Sequence, residues 1–140
     1  MEKINSFNIR AYGLCINNGK VLSLFEMYAG EKLIKFPGGG LEFGESLIDC
    51  LHREFREELN LEIEVLGHFY TQENFLASKF RKNEQLLTVY YLTRIKNLPD
   101  LKIKEKSIER VEWISLSEPS PFNLPIDRLV FEKLQKEFLK

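Results

Sequence analysis

Several common chemistries are short of raw material in this chain. Its 140 residues include two cysteines and two histidines, with no CxxC pair and no Cys/His cluster. That excludes a zinc site of ordinary spacing and a disulfide framework. Cys15 in an apolar run and Cys50 beside a charged stretch are expected as reduced thiols. A formal net charge of −1 gives no general pull toward nucleic acid or an anionic membrane. No apolar run approaches a membrane span, and the N-terminal MEKINSFNIR lacks an apolar signal core. The expectation is one cytoplasmic domain over 1–140, a monomer or homodimer. Its partner is expected to be a small molecule, with no nucleic acid polymer and no membrane.

What is present is concentrated between Pro37 and Leu61, PGGGLEFGESLIDCLHREFREELNL. Gly38, Gly39 and Gly40 allow backbone to approach a ligand with no Cβ between them. Glu45 to about Leu59 then reads as a helix, with Leu47, Ile48, Leu51, Phe55 and Leu59 on one face. On a wheel of about 100° per residue with Leu47 at zero, the apolar arc spans about 0° to 120°. Glu58 falls near 20°, Glu54 near 340° and Glu57 near 280°, each about 100° per step from Leu47. Glu58 is thus inside the apolar arc and Glu54 at its edge. Three acids crowded on one quarter of a helix repel unless a cation joins them. The bland alternative is an i, i+4 surface network, Arg53 with Glu57 and Glu54 with Glu58 near Arg56. A glycine run directly before the acids favours a hard-oxygen site for Mg²⁺, which pairs carboxylates with phosphates.

Gly39, Glu45, Arg53-Glu54-Phe55, Glu57-Glu58 and Leu61 resemble the Nudix box, G-x5-E-x7-R-E-U-x-E-E-x-G-U, U being bulky and apolar. Eight of nine defined positions agree over 23 residues. Asn60 stands where the family has Gly, at a helix exit where αL geometry suits Asn next best. The resemblance implies an α/β/α sandwich with a mixed sheet, like the smaller MutT-type members. It implies Mg²⁺-dependent (or Mn²⁺-dependent) hydrolysis of a nucleoside diphosphate linked to another group. Glu54, Glu57 and Glu58 would then be metal ligands, joined by the Gly38 carbonyl, with Gly39 and Gly40 facing substrate. Arg53 would orient a carboxylate, and Glu45 would support the loop–helix junction. The general base would be Glu54 or a loop acid, Glu105 being the candidate and Glu109 and Glu84 its competitors. Asn123, between Pro121 and Pro125, resembles a turn whose Asn contacts a purine; an ordinary turn or cap is its other reading.

Around that stretch the chain alternates strands and turns. Phe7–Ile16 and Lys20–Tyr28 read as a hairpin about Asn17-Asn18-Gly19, and Leu33–Phe36 as a short strand. Glu62–Tyr70 reads as a strand. Phe75–Phe80 and Gln85–Ile95 read as a second hairpin, and Val111–Ile114 as the last strand. A final helix starts near Pro125 with Leu129, Val130, Leu134 and Phe138 as its face. Strand aromatics such as Phe7, Tyr12, Phe75, Phe80 and Tyr91 could stack a base but are more often core. Lys32, Lys35, Arg81 and Lys82 read as ordinary exposed cations.

The leading expectation for function is a nucleoside triphosphate cleaved to monophosphate and pyrophosphate. ADP-ribose or a nucleotide sugar is the rival; the resemblance weakens it, since family members acting on ADP-ribose often carry a proline beyond the box and none occurs from Glu62 to Leu98. A non-catalytic nucleotide sensor is the alternative of another class; retention of all three glutamates argues against it.

Overall fold

In the computed structural model, which describes residues 3–139, β1 (Ser6–Asn17) turns into β2 (Lys20–Tyr28) through Asn18 and Gly19. Both have positive φ, 53° and 74°, as a two-residue hairpin turn of this hand requires. The hairpin closes for only the pairs Ile16–Val21 and Asn17–Lys20, and then its strands part. β2 continues into antiparallel pairing with β3 (Glu31–Lys35) and β7 (Ile108–Ser115). β1 instead lies parallel to β6 (Glu84–Ile95), from Ser6–Glu84 to Cys15–Thr93, and antiparallel to β4 (Gly38–Gly40). β5 (Ile63–Thr71) completes the sheet on the far edge of β6.

Two helices cover opposite faces, and the strand alternation decides which residues meet which helix. Cys15, Leu22 and Leu24 pack under α1 (Leu47–Leu59) with Cys50, Leu51, Phe55 and Leu59. Their neighbours Leu14 and Val21 point the other way, against Val130, Phe131 and Leu134 of α2 (Pro125–Phe138). The result is an α/β/α sandwich with a mixed sheet. Among the described residues no helix is long and apolar enough to cross a membrane.

Three local expectations need correction. Phe75–Phe80 is not a strand: it makes one bridge, Ala77 to Gln85, and Phe75 is 63% exposed. β5 pairs with β6 only as far as Thr71–Val89; beyond that the segment touches β6 through Leu86 N–H on Leu76 O and Ser78 N–H on Glu84 O, a contact too short to make a strand. The buried stripe of α2 is Asp127, Val130, Phe131 and Leu134, while Leu129 and Phe138 are exposed. Ile48 likewise lies outside the buried face of α1. The glycine run, read as a loop, is a short strand with the register Tyr12–Gly38, Ala11–Gly39 and Arg10–Gly40.

Candidate active site

Helix α1 is held firmly at both ends. Ser46 caps its start: Asp49 N–H donates to Ser46 Oγ at 3.0 Å, and Ser46 N–H donates to Asp49 Oδ2 at 3.1 Å. Its exit residue Asn60 is left-handed (φ 59°, ψ 35°), with its N–H on Arg56 O and Leu61 N–H on Phe55 O. That closes the helix in the manner expected when Asn replaces Gly. The Asn60 amide also donates to Asp100 O at 3.1 Å, so the substitution brings its own anchor.

The glycine strand fits the acid face of α1 with no room to spare. Gly38 has φ 147°, and a Cβ there would overlap the Ala11 carbonyl. Its N–H donates to Glu58 Oε1 at 3.1 Å. At Gly39 a Cβ would sit 2.6 Å from the Glu54 carboxylate. These two glycines therefore make the space in which the acids of α1 lie.

Electrostatics then separates the three acids. Glu58 is 5% exposed on the apolar side of the helix. Burial pushes its carboxyl up to about 8, against the opposing pull of Lys35 and the Gly38 amide. Glu54 is raised too, by desolvation, with Arg53 opposing. Glu57 is largely exposed. Arg53 gathers the neighbours: Nη1 lies 2.7 Å from Glu54 and 3.2 Å from Glu57, and Nη2 donates to Gly40 O at 2.8 Å. Its Nε and Nη2 grip Glu45 in a two-point contact at 3.0 and 2.7 Å, which holds Glu45 down at about 2. Lys35 Nζ lies 3.0 Å from Glu26 and 4.0 Å from Glu58. Glu26 also accepts from Ser107 Oγ at 3.0 Å.

Among the described residues no three acidic, His or Cys side chains close on one point. Each acid is instead turned to a cation or amide of the chain itself. The donor set nonetheless fits a divalent ion of Mg²⁺ type. It consists of carboxylate oxygens, one of them desolvated, beside a backbone strand stripped of Cβ atoms.

Beside these acids opens a cavity of about 520 Å³, whose walls include Arg10, Tyr12, Lys35, Gly40, Phe80 and Asp127. Glu105 is exposed in the loop before β7, which Lys104 N–H fastens to the Glu58 carbonyl at 2.9 Å. Asn123 is not on the cavity wall. Its Oδ1 accepts from Ile34 N–H at 2.7 Å, so the acceptor half of its amide braces β3. Sequence reasoning missed Glu26 and Asp127, and took partly buried Lys35 for an exposed cation. A signal existed for the first two. Glu26 follows Leu22 and Leu24 on the inward phase of β2, and Asp127 precedes Val130, Phe131 and Leu134 at helical spacing.

Residues 8–134 match the NUDIX domain family, and the chain belongs to it. It is thus a Nudix hydrolase acting on pyrophosphate bonds, in a family that typically uses divalent metals and binds nucleotide substrates. An RNA pyrophosphohydrolase of Helicobacter pylori is 27% identical over 108 residues, covering 71% of this chain and 70% of that one. Another, from Haemophilus influenzae, is 24% identical over 140 residues, covering 90% and 71%. The MutT NUDIX hydrolase of Burkholderia pseudomallei superposes with a TM-score of 0.78 at 18% identity, covering 93% of this chain and 99% of its own. The MutT protein of Methanosarcina mazei gives 0.72 at 22% identity, covering 100% and 99%. At these identities the structural likeness establishes the fold.

Proposed function

We propose that the chain hydrolyses a nucleoside triphosphate to its monophosphate and pyrophosphate, with Mg²⁺ (or Mn²⁺) held by Glu54, Glu57, Glu58 and the Gly38 carbonyl. The observation that carries this reading is the burial of Glu58. A carboxylate forced up to about 8 by desolvation is costly to keep unless a cation is bound there. A divalent ion, when bound, neutralises phosphate charge and acidifies a water. The protein's own groups do the rest. Arg53 fixes Glu54 and Glu57 from one side and is itself locked by Glu45, so the acids hold their places before substrate arrives. Lys35, on the cavity wall, sets its positive charge beside Glu58 and can meet a phosphate oxygen. Glu54, already partly desolvated, is the group proposed to take the water proton; Glu105 supplies a second acid from the loop.

A second reading has one observation in its favour. The cavity rim carries Lys79, Phe80 and Arg81, with Phe7 73% exposed beside them. Basic and aromatic side chains together suit a single-stranded 5′ end. The RNA pyrophosphohydrolase relatives make the 5′ triphosphate of an RNA the corresponding substrate. One assay separates the two. Nucleoside triphosphates, ADP-ribose and a 5′-triphosphorylated oligoribonucleotide are each incubated with and without Mg²⁺, and released phosphates are identified. Release of pyrophosphate from free triphosphates at the highest kcat/KM supports the first reading. A preference for the oligonucleotide supports the second, and Mg²⁺-independent turnover contradicts both.

A further inference from the structure

Gly40 stands between two arginines that are used very differently. On the side of α1, Arg53 has its donors engaged: Nε and Nη2 on Glu45, Nη1 on Glu54 and Glu57, and Nη2 also on the Gly40 carbonyl. On the side of the cavity lies Arg10 of β1, whose Nη1 would be 3.7 Å from a Cβ built at Gly40. Arg10 Nε donates to the Tyr12 hydroxyl at 2.6 Å, its one hydrogen bond among the described residues. No carboxylate among them lies within ion-pair distance of it. The guanidinium sits over the Tyr12 ring, 5.6 Å from the centroid, and feels the charge of Glu54. Among the described residues, the polar side-chain atoms sealed from solvent without a partner are His52 Nδ1 and Thr93 Oγ1. Both Nη groups of Arg10 therefore open onto the cavity.

The other charged groups around that space are already matched or face outward. Lys35 pairs with Glu26, and Lys79 with Glu31 at 2.9 Å. Glu84 accepts from Asn8 Nδ2 at 3.2 Å, and Asp127 accepts from Tyr90 O–H at 2.8 Å. Arg81 is exposed on the rim. Arg10 is thus the partly buried cation of the cavity with donors to spare. Held through Nε and an aromatic face, it keeps its two Nη groups preset, and their parallel N–H bonds match two oxygens of one phosphate.

Resting on the reading that phosphates bind at α1, we propose that Arg10 grips the first phosphate of the substrate, the one that stays with the nucleoside. A molecule whose phosphoanhydride meets the acids has the cavity left for its sugar and base. The group that crosses between them passes Gly40, where Arg10 and Lys35 line the wall. Fixing that phosphate sets the anhydride beyond it against the acids, so the monophosphate is the product that remains. The same contact makes the monophosphate a product inhibitor.

The test is calorimetry with the metal omitted, which needs no turnover. AMP, GMP, CMP and UMP are titrated, and the tightest is compared with its own nucleoside, for the wild type, Arg10→Gln and Arg10→Lys. The wild type is expected to bind the monophosphate about thirtyfold more tightly than the nucleoside, as a charged two-point contact allows. Arg10→Gln should remove most of that advantage and leave nucleoside affinity unchanged. A structural role, or contact with the base, would instead weaken nucleoside and monophosphate alike, and that result overturns the proposal. Survival of the advantage in Arg10→Gln, or no binding of any monophosphate to the wild type, overturns it too. Should Arg10→Gln not fold, Arg10→Lys carries the test, because an ammonium keeps the charge but loses the fork. It should show a reduced advantage, and an undiminished one refutes the two-point contact. Failure of triphosphate hydrolysis would sink the reading at α1 and leave this measurement standing.

Discussion

Lys35 and Glu26 form a 3.0 Å ion pair between adjacent strands, and the same ammonium lies 4.0 Å from Glu58 on the helix. One cation thus faces two buried acids across the junction of β2, β3 and α1. Lys35 is held above its ordinary range even though desolvation, the largest influence on it, works the other way; Tyr12, Glu58 and Glu26 together prevail. The ammonium therefore stays charged, yet it does not keep Glu58 in the ordinary carboxylate range, and a further cation would be needed to ionise that acid fully.

Removing the ammonium should be costly. Lys35→Met leaves Glu26 and Glu58 buried and unpaired, which is expected to destabilise the fold by about 3 kcal/mol in urea unfolding. Adding Glu26→Gln should recover part of the loss. Strict additivity of the two substitutions would show that the 3.0 Å pair carries no coupling.

Gly39 is expected to matter for chemistry more than for folding. Its φ is not left-handed, so Gly39→Ala is conformationally allowed, but the new methyl would lie 2.6 Å from the Glu54 carboxylate. Displacing one preorganised group costs on the order of 10²-fold in kcat. The denaturation midpoint should move little. Wild-type kcat in Gly39→Ala would mean that the position of Glu54 is not important to turnover.

Asp127 makes stability depend on pH. Its carboxyl is raised from 3.8 to about 6 by burial, with the Tyr90 hydrogen bond, Lys35 and Arg10 pulling the other way. The folded protein therefore binds this proton more tightly than the unfolded chain does. The associated stability is full below pH 3.8 and is lost as pH rises through about 6. A shift of roughly two units corresponds to about 3 kcal/mol. Asp127→Asn carries no such charge, so its unfolding free energy relative to wild type should rise by about that amount between about pH 4 and pH 7. Parallel pH profiles for the two proteins would show that the carboxyl titrates normally.

The hydrophobic periods and the turn residues located much of this fold in advance. Asn18 and Gly19 marked the first turn, Pro125 the start of α2, and the wheel position of Glu58 its burial. The failures share a cause, which is long-range pairing. Nothing local in Phe75–Phe80 tells that the segment meets β6 only around Ala77–Gln85 and turns away from it on either side. Nothing local in Gly38–Gly40 tells that β1 would leave its hairpin partner after two pairs and take up the glycines. In the site, Arg53, Glu54, Glu57 and Glu58 could be placed together because one helix carries them. Glu26, Lys35 and Asp127 come from three separate elements, and only the assembled sheet brings them to one cavity. Asn123 had the right chemistry for a base, but its acceptor oxygen is engaged by Ile34.

Whether the acids of α1 hold a divalent ion is the central question, and Mn²⁺ titration followed by electron paramagnetic resonance answers it without reference to turnover. Bound Mn²⁺ should appear in the wild type and weaken at least tenfold in Glu58→Gln, with the variant still folded by circular dichroism. Equal Mn²⁺ affinity in the two proteins would contradict the assignment of Glu58 as a ligand and leave the burial of a carboxylate on this helix without a cause.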